Sequence, residues 1–126
     1  NTIYINDEDD LITRKIMKAR TDQGPTAVNS AKPEYIQGLF TLLGLVGEAE
    51  TVEKFDDDFN HCRIRYGDMK KQLARDMVRF IKPLREKAHE LQHNPDSIRE
   101  ILAEGAMKAR KSAAATLKIV REAIGF

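Results

Sequence analysis

Apolar residues recur along this chain at three- and four-residue intervals, and no stretch shows the alternation of a half-buried strand. Ile12, Ile16 and Ala19 mark a first helix, with Asn6 or Asp7 as its cap, Asp and Glu in its first turn and Lys15, Lys18 and Arg20 near its end. It should stop near Thr21, because Asp22-Gln23-Gly24-Pro25 is turn chemistry, and a polar loop follows to Lys32. Pro33 opens a second helix that runs through Val46 and ends at Gly47. Ile36, Leu39, Phe40, Leu42, Leu43, Leu45 and Val46 make it apolar on most sides, as in a helix central to a bundle. Val52, Phe55 and Phe59 predict a short third helix from near Glu48, and His61 to Gly67 reads as a connection that resets direction. A fourth helix is predicted from Asp68 to about Gln92, with Pro83 expected to kink it. The fifth has Asn94 as cap and Pro95 at its first position. Its stripe of Ile98, Leu102, Ala106, Ala109, Ala113, Leu117, Val120 and Ile124 is expected to be buried. The fold class is therefore all-α, a bundle of four to five helices.

Length and composition narrow this further. A chain of 126 residues supports one hydrophobic core, so residues 1–126 are expected to form a single domain. Its high charged fraction, with both signs interspersed, fits a folded soluble chain rather than a disordered one. The longest apolar run, Leu39 to Val46, is far shorter than the roughly 20 residues a membrane helix needs. The acidic stretch from Asn1 to Asp10 is no signal peptide, and the single Cys62 fits a reducing compartment, so a cytoplasmic location is expected. The net charge of +1 conceals segregation. Asp7 to Asp10 and Glu48 to Asp58 are acidic, whereas the stretch from Arg63 to Lys87 is rich in Lys and Arg. Local fields of this kind steer a polyanion even when the total is near zero.

Candidate chemistry is sparse. His89 and His93 share one helix face without a third ligand, and Asp56-Asp57-Asp58 lacks the spacing and glycine of a calcium loop. His61 and Cys62 are adjacent with no orienting acid, which favours a packing cysteine over a nucleophile. The scattered glycines form no phosphate loop. No catalytic or metal site, and no cofactor in this chain, is expected. One constellation has a positive case: Arg63, Arg65, Lys70, Lys71 and Arg75 around Tyr66 and the Gly67 turn. Single-stranded RNA is commonly bound by aromatic or guanidinium planes that stack bases, with Lys and Arg on phosphates. The alternative is an ordinary charged surface flanking a core tyrosine.

The order of segments adds a resemblance. Residues Asn6 to Asp22 (N-D-E-D-D-L-I-T-R-K-I-M-K-A-R-T-D) resemble the helix after the KMSKS loop of bacterial-type tryptophanyl-tRNA synthetases. The stretch K-P-E-Y-I-Q-G-L-F at Lys32 to Phe40 is similar to that family's next helix. Y-G-D-M-K-K-Q-L-A at Tyr66 to Ala74, with K-P-L-R-E-K at Lys82 to Lys87, resembles its long proline-containing helix. E-G-A-M-K-A-R at Glu104 to Arg110 and the E-A-I-G-F ending at Phe126 resemble its final helix. The resemblance implies a C-terminal helical domain that recognises the tRNA anticodon, with tRNA as partner. It also implies an N-terminal Rossmann domain, absent here, that activates tryptophan with ATP and Mg. Neither its HIGH-like nor its KMSKS-like signature occurs in these residues, and Asn1 is no initiator Met. The chain thus reads as an inactive fragment of a class I enzyme. Its parent is expected to dimerise through the Rossmann domain, and the fragment to be monomeric.

The resemblance favours the Tyr66 region as the tRNA contact, with Arg63, Arg65, Tyr66, Lys70, Lys71 and Arg75 as candidates. The equivalent domain of tyrosyl-tRNA synthetases is the alternative within the same architecture. From another class, a stand-alone helical interaction domain would dock a partner on its apolar second helix. In the synthetase reading, the second helix is expected to rely on the Rossmann domain for part of its burial, leaving an exposed apolar patch.

Overall fold

A computed structural model of the protein describes residues 2–125, which hold five α-helices and no strand. They are α1 (Asp9–Met17), α2 (Glu34–Val46), α3 (Ala49–Asn60), α4 (Tyr66–His93) and α5 (Pro95–Ile124). Phe126, the last residue of the Ile-Gly-Phe ending, lies outside the described residues. The chain divides into two compact units, Asn1–Arg85 and Glu86–Phe126.

The first unit carries the core. Ile12 and Ile16 of α1, Ile36 and Leu43 of α2, Phe59 of α3, and Met69 and Leu73 of α4 are almost wholly removed from water. Phe40 and Phe59 meet edge to face at 6.0 Å, joining α2 to α3. The polar loop before α2 is tied down by Lys32, whose ammonium lies 4.8 Å from the Phe40 ring, 4.6 Å from the Phe59 ring and 2.7 Å from Asp56.

Three expectations shift. Glu8, not Asn6 or Asp7, stands at the start of α1, because the buried Asp7 carboxylate turns back onto the Tyr4 N–H (2.9 Å) and the Lys15 ammonium (2.5 Å). α4 begins at Tyr66, two residues before the expected Asp68, and continues through Pro83 without a break. In α2 only one side is buried: Leu42 and Leu45 are exposed, Leu45 at 71%. With Ile3, Ile5, Phe80 and Leu84, Leu42 lines an open apolar hollow of about 390 Å³.

The second unit differs in kind. α5 is capped by Asn94, whose side chain accepts from the Ser97 N–H, and it closes on Gly125 in the left-handed region. None of its residues is buried. The stripe from Ile98 to Ile124 keeps its helical register but is open to solvent, contrary to the expectation of a buried face.

Candidate nucleic-acid interface

The candidate site is built at the junction of α3 and α4. α3 ends in a reversal in which Cys62 takes a left-handed conformation (φ 57°). The Arg63 N–H donates to the Asp58 carbonyl (2.7 Å) and the Cys62 N–H to the Phe59 carbonyl (3.0 Å). This is the Schellman pattern, with a cysteine where glycine is usual. Two residues on, the Arg65 carbonyl accepts from the Asp68 and Met69 N–H groups and starts α4. The turn therefore sets Arg63 and Arg65 beside the first turn of a long helix.

The six predicted residues separate into two groups. Tyr66 and Lys70 face inward, 8% and 7% exposed. The Lys70 ammonium donates to the Ala19 carbonyl (2.7 Å), the Thr21 hydroxyl (3.2 Å) and the Met17 carbonyl (3.4 Å), which satisfies the C-terminal end of α1. The Tyr66 hydroxyl is buried, without a hydrogen bond of good geometry among the described residues. Burial first, and the Asp22 carboxylate second, push its pKa upward. Tyr66, expected as a stacking plane, and Lys70, expected on phosphate, are thus both placed on the inner side of α4. The ring is core and the ammonium is committed to protein carbonyls.

Arg63, Arg65, Lys71 and Arg75 are exposed. Arg63 is held by Asp57 at 2.6 Å and approaches Asp58 at 3.7 Å. Lys71 lies 4.0 Å from Asp68, a separation at which a solvated pair contributes little. Arg65 and Arg75 make no ion pair among the described residues. Lys71 and Arg75 stand one turn apart on α4, so their charges project from one face. Among the described residues no group of His, Cys, Asp and Glu could hold a metal ion. The imidazole of His93 contacts the His89 carbonyl at 2.8 Å, and that of His61 contacts the Asp57 carbonyl at 2.9 Å.

Sequence reasoning missed a neighbouring cluster. The Arg20 guanidinium lies 4.5 Å above the half-buried Tyr35 ring, and the Tyr35 hydroxyl donates to Asp22 at 2.9 Å. Asp22 also accepts from the Gly24 N–H at 2.8 Å. That amide bond, more than the tyrosine, holds the Asp22 carboxyl below its ordinary range, while Asp22 raises the Tyr35 phenol. The Asp-x-Gly turn was a readable signal for the carboxylate. Nothing local in the sequence announced the stacking of Arg20 on Tyr35, fifteen residues apart.

Comparison with known proteins gives a consistent set. The tryptophan–tRNA ligase of Porphyromonas gingivalis (strain ATCC BAA-308 / W83) is 48% identical over 126 residues, all of this chain and 38% of the relative. That of Helicobacter pylori (strain ATCC 700392 / 26695) is 35% identical over the whole chain and 37% of the relative. Tryptophan–tRNA ligase 1 of Streptomyces coelicolor is 36% identical over 98% of this chain and 36% of the relative. The chain thus spans well under half the length of these curated relatives. No protein-family model and no solved structure matches it. Along its full length the chain is a relative of the tryptophan–tRNA ligases, matching their C-terminal region.

Proposed function

We propose that this chain recognises the tRNA anticodon within a tryptophan–tRNA ligase. The observation that carries the reading is the end-to-end similarity, 48% in one relative, to ligases whose name specifies both tryptophan and tRNA. In this reading, activation of tryptophan with ATP and Mg and its transfer to tRNA belong to residues outside these 126, in a cytoplasmic enzyme dimerised through that other region. The chain by itself is then a binding element. Arg65, Lys71 and Arg75, with Arg63 beside them, supply the positive face for phosphates. Tyr35 with its stacked Arg20 takes the place of Tyr66 as the accessible aromatic plane, a type of surface on which unpaired bases stack.

The test is titration of the chain with a tRNA bearing the tryptophan anticodon across a salt series. With about three phosphates neutralised, the logarithmic salt slope should lie at roughly −2 to −3. Arg65→Glu and Arg75→Glu should each weaken binding and flatten that slope by about one. Lys70 must be left intact, because its loss would disturb folding rather than contact. Binding with an unchanged slope in the Arg65→Glu/Arg75→Glu chain would remove this face from the interface.

A further inference from the structure

The loop between α1 and α2 is fastened to the region where α3 ends. The Asn29 N–H donates to the Asn60 carbonyl at 2.9 Å. Gly24, at φ 101°, lies so near Ile64 that an added Cβ would stand 3.4 Å from its methyl. Ile64 falls between Arg63 and Arg65 in the chain, so the loop borders the basic junction of α3 and α4. Pro25 and Pro33 stiffen it further, and Lys32 is pinned to Phe40, Phe59 and Asp56. A loop held at so many points is shaped before any ligand arrives.

This loop borders an open hollow of about 160 Å³. Phe59, Pro25, Ala31 and Pro33 give it apolar sides. Its polar groups mostly accept. The Asp22 carboxylate takes the Gly24 N–H at 2.8 Å and the Tyr35 hydroxyl at 2.9 Å, and keeps further lone pairs. The Ser30 hydroxyl donates to the Ala27 carbonyl, which leaves its oxygen to accept. The prolines offer no N–H, and only the Thr26 hydroxyl turns either way. Apolar sides and acceptors fit a flat ring with N–H donors on its edge. Cytosine offers its N4 amino group in this way. Uracil, of the same size, offers an oxygen there, which a carboxylate repels.

We propose that the hollow is a base-binding site in which Asp22 selects an unpaired amino-bearing base, cytosine over uracil, on RNA whose phosphates lie on Arg63 and Arg65. This rests on the reading of the chain as an RNA-binding element and adds the residue that tells bases apart.

The test compares a cytidine hexanucleotide with a uridine hexanucleotide, titrated into the 126-residue chain across a salt series. The cytidine strand should bind roughly tenfold tighter at every salt concentration, with the same slope. Asp22→Asn should abolish that preference and leave the slope as it is, since no cation is lost. Ala31→Leu, an exposed position that narrows the hollow, should also abolish it with the carboxylate in place. Tyr35→Phe removes the tie to Asp22 but neither the ring nor the carboxylate, and should retain the preference. Equal affinity for the two strands overturns the proposal, as does a preference that survives Asp22→Asn. In both cases salt-sensitive binding of either strand leaves the basic face standing. A chain that binds neither strand, nor the tRNA, at low salt removes both readings.

Discussion

Cys62 occupies a backbone conformation that costs an L-residue roughly 1 kcal/mol and glycine almost nothing. Its thiol is exposed, so little packing offsets that cost. Cys62→Gly should therefore raise stability by up to about 1 kcal/mol, read as a higher midpoint in urea at unchanged slope. Tyr66 presents the reverse case, a well-packed ring with a buried hydroxyl in a poor hydrogen-bonding position. Tyr66→Phe keeps the ring and removes the polar atom, and should be neutral or stabilising rather than damaging. The same groups set a pH window. Asp7, lowered chiefly by its bond to Lys15, and Asp22, lowered chiefly by the Gly24 amide, stabilise the fold above the ordinary carboxyl value of 3.8. That contribution is lost as pH falls through their lower folded values. Tyr66 and Tyr35 have raised pKa values, so their contribution is intact below the ordinary value of 10.0 and is lost as pH rises above it. Thermal midpoints should thus fall off below about pH 4 and above about pH 10. Tyr66→Phe should soften the alkaline limb alone, and an unchanged limb would show that Tyr66 does not titrate in this way.

Helix existence and type were legible in the apolar spacing, and the start of α5 in Asn94-Pro95. What escaped was side, not kind. Lys70 stands four residues after Tyr66 and three before Leu73, in register with the buried face of α4, so periodicity alone placed it inward. Composition pulled the reading the other way, because a lysine among arginines reads as surface. Lys71 and Arg75, off that register, are exposed. Lys70→Met should consequently destabilise by about 1–3 kcal/mol, since it strips the partner from the carbonyl end of α1. Lys71→Met should change stability by less than about 0.5 kcal/mol. Equal effects in urea unfolding would contradict this division. The Asp7 side chain was equally hard to foresee, because Lys15 competes for the carboxylate that would otherwise cap α1. Pro83 is the element's weak point, an exposed residue that donates no hydrogen bond inside a continuous helix. Pro83→Ala should stabilise α4 by about 1 kcal/mol or more, the helix gain being partly offset by a freer unfolded chain.

Across the whole molecule, stability is concentrated in residues up to Arg85, while α5 contributes no buried side chain. The stripe of α5 was read as core because amphipathic spacing reports that a face can be covered, not what covers it. The exposed Leu42 and Leu45 belong to the same class of signal: spacing marked α2 as apolar on most sides, and one of those sides is uncovered. α1 is also fastened at both ends by α4. Lys70 holds its carbonyl end, and Arg85 bonds the Asp7 carbonyl and, at 2.5 Å, the Asp9 carboxylate at its start. These ties span 51 and 78 residues of chain. A nine-residue helix is too short to persist alone, so α1 must wait until α4 exists and the long intervening loop has closed. The first helix in sequence should therefore be among the last to form. In folding kinetics, Ile12→Val and Ile16→Val would speed unfolding and leave the refolding rate nearly unchanged.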